Sequence, residues 1–231
     1  MISIGVIDNG VNESLYVPKI PLTHVNMIGK LSDSEHGTKC ASIISKYTSN
    51  IHIVDLQVMI SSEGDIKLLC KALDWCISNN IKVINISCGT HYCYLISQIN
   101  RMIKKAYNNQ IIIIASGSND SKKSYPAELK GVIGVKTCSW LNNDEYYAVS
   151  TDCFSKGINI VASSNHILTT RDGVNINTPL CNSYAAPCIT AKICDYLRDY
   201  NCSDKINESI FDYISKCLIK NQSRSNTRIK L

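Results

Sequence analysis

The sequence lacks several features that would point to other classes of protein. Its 231 residues contain no apolar run near the roughly 20 residues that a membrane helix needs, so we expect no membrane partner. No repeat, low-complexity block or linker divides the chain, and no glycine-rich phosphate loop supports a nucleotide-binding domain. The aspartates Asp120, Asp152 and Asp172 are too dispersed to form a calcium loop. We therefore expect neither a metal nor a cofactor.

The chain is rich in cysteine, yet its 12 cysteines include no C-x-x-C pair that would indicate a zinc or redox site. The N-terminus runs directly into an apolar segment, without the basic and apolar regions of a secretory signal. We therefore expect reduced thiols, most of them in the core, and a cytosolic protein. The same start shows no propeptide, which leaves open whether the protein folds unaided or is a mature fragment.

Part of the net charge of +5 comes from the C-terminal stretch, where Lys220, Arg224, Arg228 and Lys230 occur without an acidic residue. We assign residues 1–218 to one domain and residues 219–231 to a basic tail. A short basic terminus is usually a solvated end, and we expect no nucleic-acid partner. Contact with nucleic acid or an acidic peptide is the alternative. The sequence does not indicate an oligomeric state.

Short β-branched runs alternate along the chain with segments of helical character. Runs that are apolar throughout are typical of strands buried on both faces. Their alternation with helices predicts an α/β fold in which a mostly parallel sheet is flanked by helices on both sides. The predicted strands are 2–7, 51–58, 81–86, 111–115, 132–136 and 158–161, and the predicted helices are 36–47, 65–78, 94–107, 183–200 and 207–216.

Distant polar segments are predicted to meet at one edge of this sheet. Asp8 ends the first strand, while His36 and Ser183 begin helices that reach the carboxyl ends of the strands. A serine hydroxyl attacks a peptide carbonyl when an imidazole takes its proton and a carboxylate orients that imidazole. Ser183, His36 and Asp8 fit these three parts, although each alone also fits an ordinary turn or helix cap.

The segments around these residues resemble those of subtilases, the subtilisin-like serine peptidases, over roughly residues 2–197. Subtilases typically read Val-Ile-Asp-Ser/Thr-Gly, His-Gly-Thr-His-Val-Ala-Gly and Gly-Thr-Ser-Met-Ala-Ala/Ser-Pro. The resemblance implies a subtilisin-like three-layer fold and a serine endopeptidase that cleaves peptides or proteins through an Asp-His-Ser triad and an acyl-enzyme intermediate. The matching segments are Val6-Ile7-Asp8-Asn9-Gly10, His36-Gly37-Thr38-Lys39-Cys40-Ala41-Ser42 and Cys181-Asn182-Ser183-Tyr184-Ala185-Ala186-Pro187.

The resemblance also implies where a substrate would bind. Val83-Ile84-Asn85-Ile86-Ser87-Cys88-Gly89 is similar to the subtilase strand whose edge pairs with an extended peptide. Main-chain hydrogen bonds to the substrate would then come from Ser87, Cys88 and Gly89, although a core strand and turn is the alternative. Ala115, Ser116 and Gly117 would form a further wall. Because these walls contribute mainly backbone, the sequence does not indicate a side-chain preference at the cleavage site.

The oxyanion residue is ambiguous. Subtilases usually show Ala-Ala-Gly-Asn-Glu/Asp, whereas this chain reads Ala115-Ser116-Gly117-Ser118-Asn119-Asp120. Counting forward from the strand selects Ser118, while the asparagine–aspartate pairing selects Asn119 after a one-residue insertion. We favour Asn119, because an amide donates more reliably than a rotating hydroxyl. The backbone N–H of Ser183 would be the second donor.

Three departures from the family surround the predicted nucleophile. Cys181, Asn182 and Tyr184 stand where glycine, threonine and methionine are usual, and we expect Cys181 and Asn182 together to crowd the approach to Ser183. A thiol enzyme based on Cys181 or Cys188 would need a paired imidazole, which no cysteine shows in the sequence. The stronger alternative is a peptide-binding module with negligible turnover. As an enzyme, the chain resembles small cytosolic subtilases that trim leader segments from precursor peptides or clip a regulatory protein.

Overall fold

The computed structural model describes residues 1–13, 15, 20–29, 35–59, 65–92, 94, 96–120, 122–200 and 208–222. Its strands are β1 Ile2–Asp8, β2 Leu22–Asn26, β3 Ile51–Gln57, β4 Val83–Ile86, β5 Ile112–Ser116, β6 Val132–Thr137, β7 Tyr146–Ala148, β8 Ile158–Ala162, β9 Ile167–Thr169 and β10 Asn175–Asn177. Its helices are α1 His36–Tyr47, α2 Ile66–Ser78, α3 Ile96–Asn108, α4 Asn182–Tyr200 and α5 Ile210–Lys220.

Eight of these strands form one sheet, in the order β2-β3-β1-β4-β5-β6-β8-β7. Only the edge pairing of β7 with β8 is antiparallel in this sheet. The next two strands in the sequence, β2 and β3, lie on one side of β1 in the sheet, with β3 adjacent to β1. The following strands β4, β5 and β6 lie on the other side. The carboxyl ends of β1 and β4 therefore flank the point where the strand order reverses, and such a point opens a crevice in parallel sheets.

Two apolar layers cover the faces of the sheet. Ile4 and Val6 of β1 face the layer that contains α1, α4 and α5, whereas Ile7 faces the layer of α2 and α3. The same alternation in β5 places Ile112 and Ile114 in the first layer. These strands are apolar on both faces because each face is covered by helices. The predicted α/β fold is confirmed.

The predicted central strands are present, with ends that differ by one or two residues. The structure adds four strands that the sequence did not indicate, and all lie at an edge or outside the main sheet. β2 is half-exposed along its length, β7 has 3 residues, and β9 pairs with β10 as a separate hairpin. Edge and hairpin strands carry polar residues, so they lack the apolar runs of the buried strands.

The last helix lies further along the chain than predicted. α5 spans Ile210–Lys220 instead of 207–216, because the Ser209 side chain caps it by accepting from the backbone N–H of Asp212. Ile219 packs against the core, so the helix crosses the predicted boundary between residues 218 and 219. Position 207 and residues 223–231 of the predicted basic tail lie outside the described residues. No helix in the described ranges has the length and apolar character to cross a membrane.

Candidate active site

The carboxylate and imidazole predicted to work together are bonded to each other. Asp8 ends β1 and is fully buried, while His36 is the first residue of α1. Nδ1 of His36 lies 2.9 Å from Oδ1 and 3.0 Å from Oδ2 of Asp8. A carboxylate only accepts hydrogen bonds, so Nδ1 carries a proton and donates it to Asp8. In the neutral form of the ring, Nε2 is then the nitrogen that accepts a proton.

The loop after β1 fixes α1 against the strand. Oδ1 of Asn9 accepts from the backbone N–H of Gly37 at 2.9 Å, which satisfies a free donor in the first turn of α1. A Cβ at Gly37 would lie 2.5 Å from the carbonyl oxygen of Gly10 and 3.1 Å from Cβ of Asp8. The glycine of the His-Gly-Thr segment is therefore needed for the close approach that joins His36 to Asp8.

Ser183 lies in the first turn of α4, where its own backbone carbonyl is held from outside the helix. A residue at position 187 would normally donate its N–H to this carbonyl, but Pro187 has no N–H. The Ser183 carbonyl instead accepts from the Ser87 hydroxyl at 3.4 Å and from the Cys40 thiol at 3.6 Å. The proposed nucleophile is thus connected directly to β4 and α1.

The Ser183 hydroxyl makes two long hydrogen bonds among the described residues. It donates to the backbone carbonyl of Ser87 at 3.4 Å and accepts from the Cys181 thiol, also at 3.4 Å. Beside it, the ring of Tyr184 packs on the ring of His36 with centroids 5.1 Å apart. In this arrangement the proton of the Ser183 hydroxyl is directed to the Ser87 carbonyl.

The structure distinguishes the two oxyanion candidates by where they point. Oδ1 of Asn119 accepts from the backbone N–H of Asn182 at 2.9 Å, so its Nδ2 faces the site and reaches Sγ of Cys181 at 3.3 Å. The hydroxyl of Ser118 instead donates to Oδ1 of Asp120 at 2.6 Å. The side chain of Asn182 reinforces this loop, since its Nδ2 donates to the backbone carbonyls of Gly117 and Ser118.

Cys181 has more contacts in the candidate site than the sequence indicated. Its thiol donates to the Ser183 hydroxyl at 3.4 Å and accepts from the Asn119 amide at 3.3 Å, and the His36 imidazole and the Ser183 backbone N–H lie close enough to affect its pKa. Burial alone raises the pKa of this thiol, but these hydrogen bonds lower it to about 7. The expectation that no cysteine has a paired imidazole was therefore wrong. The spacing could not reveal the pair, because the two residues meet only in the folded chain.

Competing effects set the basicity of His36. Burial lowers the pKa of the imidazole, but Cys40, Asp8 and the hydrogen bond to Cys181 raise it, and the net direction is upward. Burial also raises the pKa of the Cys40 thiol, which keeps it protonated at neutral pH. The Asp8 carboxylate and the Cys181 sulfur are therefore the groups that favour a protonated His36.

A cleft of about 430 Å³ opens over these residues at the carboxyl ends of β1, β4 and β5. Ala115 does not reach it, because that residue is fully buried in β5. A Cβ at Gly89 would lie 2.5 Å from Oγ of Ser124, so the wall at this point must be bare backbone. The lining residues are Asn9, His36, Met59, Ser87, Cys88, Gly89, His91, Ser116, Gly117, Ser118, Asn119, Ser124, Cys181 and Ser183.

One group of side chains in the described ranges could also be considered for a metal. Ligand atoms of Asp8, His36 and Cys40 all lie within 4.8 Å of one another. The Nδ1 proton of His36 is already shared with the carboxylate, and the Cys40 thiol donates to Oγ of Ser87 at 3.4 Å. The cluster is satisfied by these hydrogen bonds, and we assign no metal to it.

Comparisons of the sequence with known proteins give one family. A sequence model of the subtilase family, peptidase S8, matches residues 1–201. The minor extracellular protease Epr of Bacillus subtilis (strain 168) is 25% identical over 205 residues, which cover 77% of this chain. The chain spans only 30% of the length of that relative.

Solved structures share the architecture at low sequence identity. A lanthipeptide protease superposes with a TM-score of 0.72 at 17% identity, covering 92% of this chain and 78% of the other. The nisin leader peptidase NisP from Lactococcus lactis gives a TM-score of 0.65 at 16% identity, covering 96% of this chain and 88% of the other. At these identities the likeness establishes the fold.

Proposed function

Because the chain belongs to the subtilase family, we propose that it is a serine endopeptidase with Ser183 as nucleophile, His36 as general base and Asp8 as the orienting carboxylate. The observation that carries this proposal is the pairing of His36 Nδ1 with both carboxylate oxygens of Asp8, at 2.9 and 3.0 Å. That pairing leaves Nε2 of His36 as the proton acceptor, in the same cleft as Ser183.

The reaction follows from the chemistry of these groups. Oγ of Ser183 bonds to the scissile carbonyl carbon while its proton moves to Nε2 of His36. The imidazolium, stabilised by Asp8, then gives that proton to the leaving amine, and the peptide C–N bond breaks. A water molecule attacks the ester on Ser183 with His36 again as base, which releases the carboxylic acid and restores the hydroxyl.

We assign the oxyanion hole to Nδ2 of Asn119 and the backbone N–H of Ser183. The Asn119 amide supports this role because its oxygen is fixed by the Asn182 N–H, which leaves Nδ2 as a donor facing the cleft. The second donor is near the N-terminus of α4, where the helix dipole also favours negative charge. Donors fixed before the reaction stabilise developing charge without reorganisation.

The proposed substrate is a peptide segment in extended conformation, such as the leader of a precursor peptide. The residues after β4, Ser87 to Gly89, line the cleft beside Ser183 and can pair with an extended chain by backbone hydrogen bonds. The nisin leader peptidase, one of the structural neighbours, is named for leader cleavage. We place the activity in a reducing compartment, since the 10 described cysteines are all free thiols.

Labelling with a fluorophosphonate, which reacts with activated serines, tests the proposed nucleophile. We expect the wild-type protein to be labelled at Ser183, and Ser183→Ala and His36→Ala to lose the label. Ser45→Ala is the matched control, because its hydroxyl bonds within α1 to the carbonyl of Ser42 at 3.0 Å. Labelling that persists in Ser183→Ala would contradict the assignment.

A peptide-binding module is the second candidate function, and the position of Cys181 favours it. A sulfur atom held by the Asn119 amide and the Ser183 hydroxyl lies where a substrate carbonyl would bind. If the wild-type protein binds peptides but is not labelled by the fluorophosphonate, this second function is supported.

The substrate class can be tested with precursor peptides that carry leader segments. Incubation followed by mass spectrometry should show cleavage at one site by the wild-type protein and none by Ser183→Ala. Cleavage that does not require Ser183, or no cleavage of any precursor while Ser183 is labelled, would count against leader processing.

A further inference from the structure

Several polar groups that the proposed reaction requires around Ser183 lie against the sulfur of Cys181. The Asn119 amide lies 3.3 Å from Sγ and the Ser183 hydroxyl lies 3.4 Å from it. The His36 imidazole and the backbone N–H of Ser183 also lie near enough to lower the pKa of this thiol. The sulfur therefore contacts the proposed nucleophile and one proposed oxyanion donor, and it lies beside the proposed base and the second donor.

We propose that Cys181 competes with the substrate for the oxyanion hole, and that its side chain must move away before a peptide carbonyl can bind. The inference rests on the proposed function, because the two donors in question are those assigned to the oxyanion. Cys181 is then a positioning residue in the resting site, and it restrains the reaction of Ser183.

Hydrogen-bond capacity explains why the competition is direct. Each N–H donates best to one acceptor, so a donor engaged by sulfur is not available to a carbonyl oxygen. The same sulfur engages the imidazole, which must accept the proton of Ser183. A rotation about the Cα–Cβ bond of Cys181 would release all of these groups at once, with no change to the backbone.

The surrounding titratable groups indicate that Cys181 is the thiol that can carry charge here. Burial raises the pKa of Cys40, and it raises the pKa of Cys88 to about 12, so both remain thiols at neutral pH. Burial also raises the pKa of Tyr184 to about 12. Among the described residues, the charged or titratable groups facing His36 and Cys181 include Asp8 from β1, Cys40 from α1, Cys88 after β4 and Tyr184 from α4.

Fluorophosphonate labelling of a Cys181→Ala variant tests the competition. Without the sulfur, both donors are free in every molecule, so labelling of Ser183 at pH 7 should be about threefold faster or more. The rise of the labelling rate with pH should also move to lower pH, since His36 loses a partner that favours its protonated form. Cys138→Ala, a half-buried cysteine outside the cleft, should behave like the wild-type protein.

Alkylation of Cys181 by iodoacetamide provides a test that does not depend on turnover. In the wild-type protein, peptide mass spectrometry should show alkylation with a midpoint near the thiol pKa of about 7. Asn119→Ala should slow this alkylation at pH 7 by about fivefold, because one hydrogen bond to the thiolate is lost. Ser118→Ala should leave it unchanged, since that hydroxyl bonds to Asp120.

The outcomes separate the inference from the proposed function. Unchanged labelling in a folded Cys181→Ala, or alkylation that is insensitive to Asn119→Ala, would overturn the competition. Loss of activity in Cys181→Ala with activity retained in Ser183→Ala would overturn it too, because the thiol would then be the nucleophile. If no variant is labelled, the serine peptidase proposal fails, and the Asn119-dependence of alkylation still decides whether the sulfur occupies these donors.

Discussion

At the scale of single residues, the two candidate oxyanion donors differ in what holds them. The oxygen of the Asn119 amide is bonded to the N–H of Asn182, so its orientation is fixed before any substrate binds. The Ser118 hydroxyl is engaged by a neighbouring carboxylate. Orientation, more than chemical type, therefore favours the Asn119 amide over the Ser118 hydroxyl as the proposed oxyanion donor.

We predict that Asn119→Ala lowers kcat for peptide cleavage by about 10²–10³, the usual effect of losing one oxyanion donor. KM should change little, because the donor acts mainly on the transition state. Steady-state kinetics with a cleavable peptide measure both values. Ser118→Ala is the matched control and should keep kcat within about threefold of the wild-type value. If Ser118→Ala lowers kcat more than Asn119→Ala does, the oxyanion donor is Ser118.

Gly37→Ala should destabilise the protein. Its Cβ would meet the Gly10 carbonyl at 2.5 Å, and backbone must shift to relieve the contact. We expect a loss of about 1–3 kcal/mol in the free energy of unfolding, measured by urea denaturation, together with reduced labelling of Ser183. Lys39→Ala, in the same helix turn, should change the free energy of unfolding by less than about 1 kcal/mol, because its partner Glu35 is exposed. Equal stability of Gly37→Ala and the wild-type protein would contradict the close approach.

Much of the candidate site could be predicted at this scale. Asp8, His36 and Ser183 each lie in a short segment whose local sequence already indicates the role proposed for it, such as the glycine that lets α1 approach β1. Cys181 could not be assigned this way, because its partners come from α1 and from the loop after β5. A side chain whose role is made by tertiary contacts leaves no pattern in the adjacent residues.

At the scale of elements, a buried histidine joins the two helices that carry the proposed base and the proposed nucleophile. Nδ1 of His166 lies 3.0 Å from the hydroxyl of Tyr47 in α1, and Nε2 lies 2.9 Å from the backbone carbonyl of Tyr184 in α4. A carbonyl only accepts, so Nε2 carries the proton and Nδ1 accepts from the tyrosine. The neutral ring of His166 therefore forms one hydrogen bond with a residue of each helix.

The pKa of His166 leads to a prediction for acid stability. Burial lowers this pKa from 6.5 to about 4, so the unfolded chain binds the proton more readily than the folded one. Above about pH 6.5 the neutral ring makes its full contribution to the free energy of unfolding, which is about 3 kcal/mol at most. This contribution is lost as the pH falls toward about 4.

Urea denaturation at several pH values measures this loss. His166→Gln has no titrating ring, so its free energy of unfolding should fall less steeply than that of the wild-type protein between pH 6.5 and 4. Equal slopes for the two proteins would show that other groups control acid unfolding.

The success of the strand predictions depended on burial. Strands covered on both faces, such as β1 and β5, are apolar at almost every position and can be recognised in sequence. β2 alternates with polar residues because it lies at the sheet edge, and the hairpin of β9 and β10 is largely exposed. Their pairing is decided by tertiary contacts, so a local pattern does not reveal them.

At the scale of the whole molecule, the site has no part that could fold alone. Asp8 lies in a central strand, His36 begins a helix on one layer, and Ser183 begins the helix that packs across β4, β5 and β6. The geometry between these residues therefore exists only when the sheet and its helical layer are assembled.

We predict that the reactive site and the fold are lost in a single transition. Fluorophosphonate labelling of Ser183 and the far-ultraviolet circular dichroism signal should decline at the same urea concentration, because a single sheet supports both. Labelling that disappears at clearly lower urea, while the dichroism signal persists, would show that the site opens as a separate local unit.

Pro187 has a consequence for how the molecule tolerates motion. The carbonyl of Ser183 accepts hydrogen bonds from Ser87, just after β4, and from Cys40 of α1, because position 187 of its own helix has no N–H to donate. We therefore expect fraying of the later turns of α4 to have little effect on the Ser183 hydroxyl. The proposed nucleophile is thus held by two neighbouring elements as well as by its own helix, and substitutions at exposed positions in the last turns of α4 should leave its reactivity unchanged.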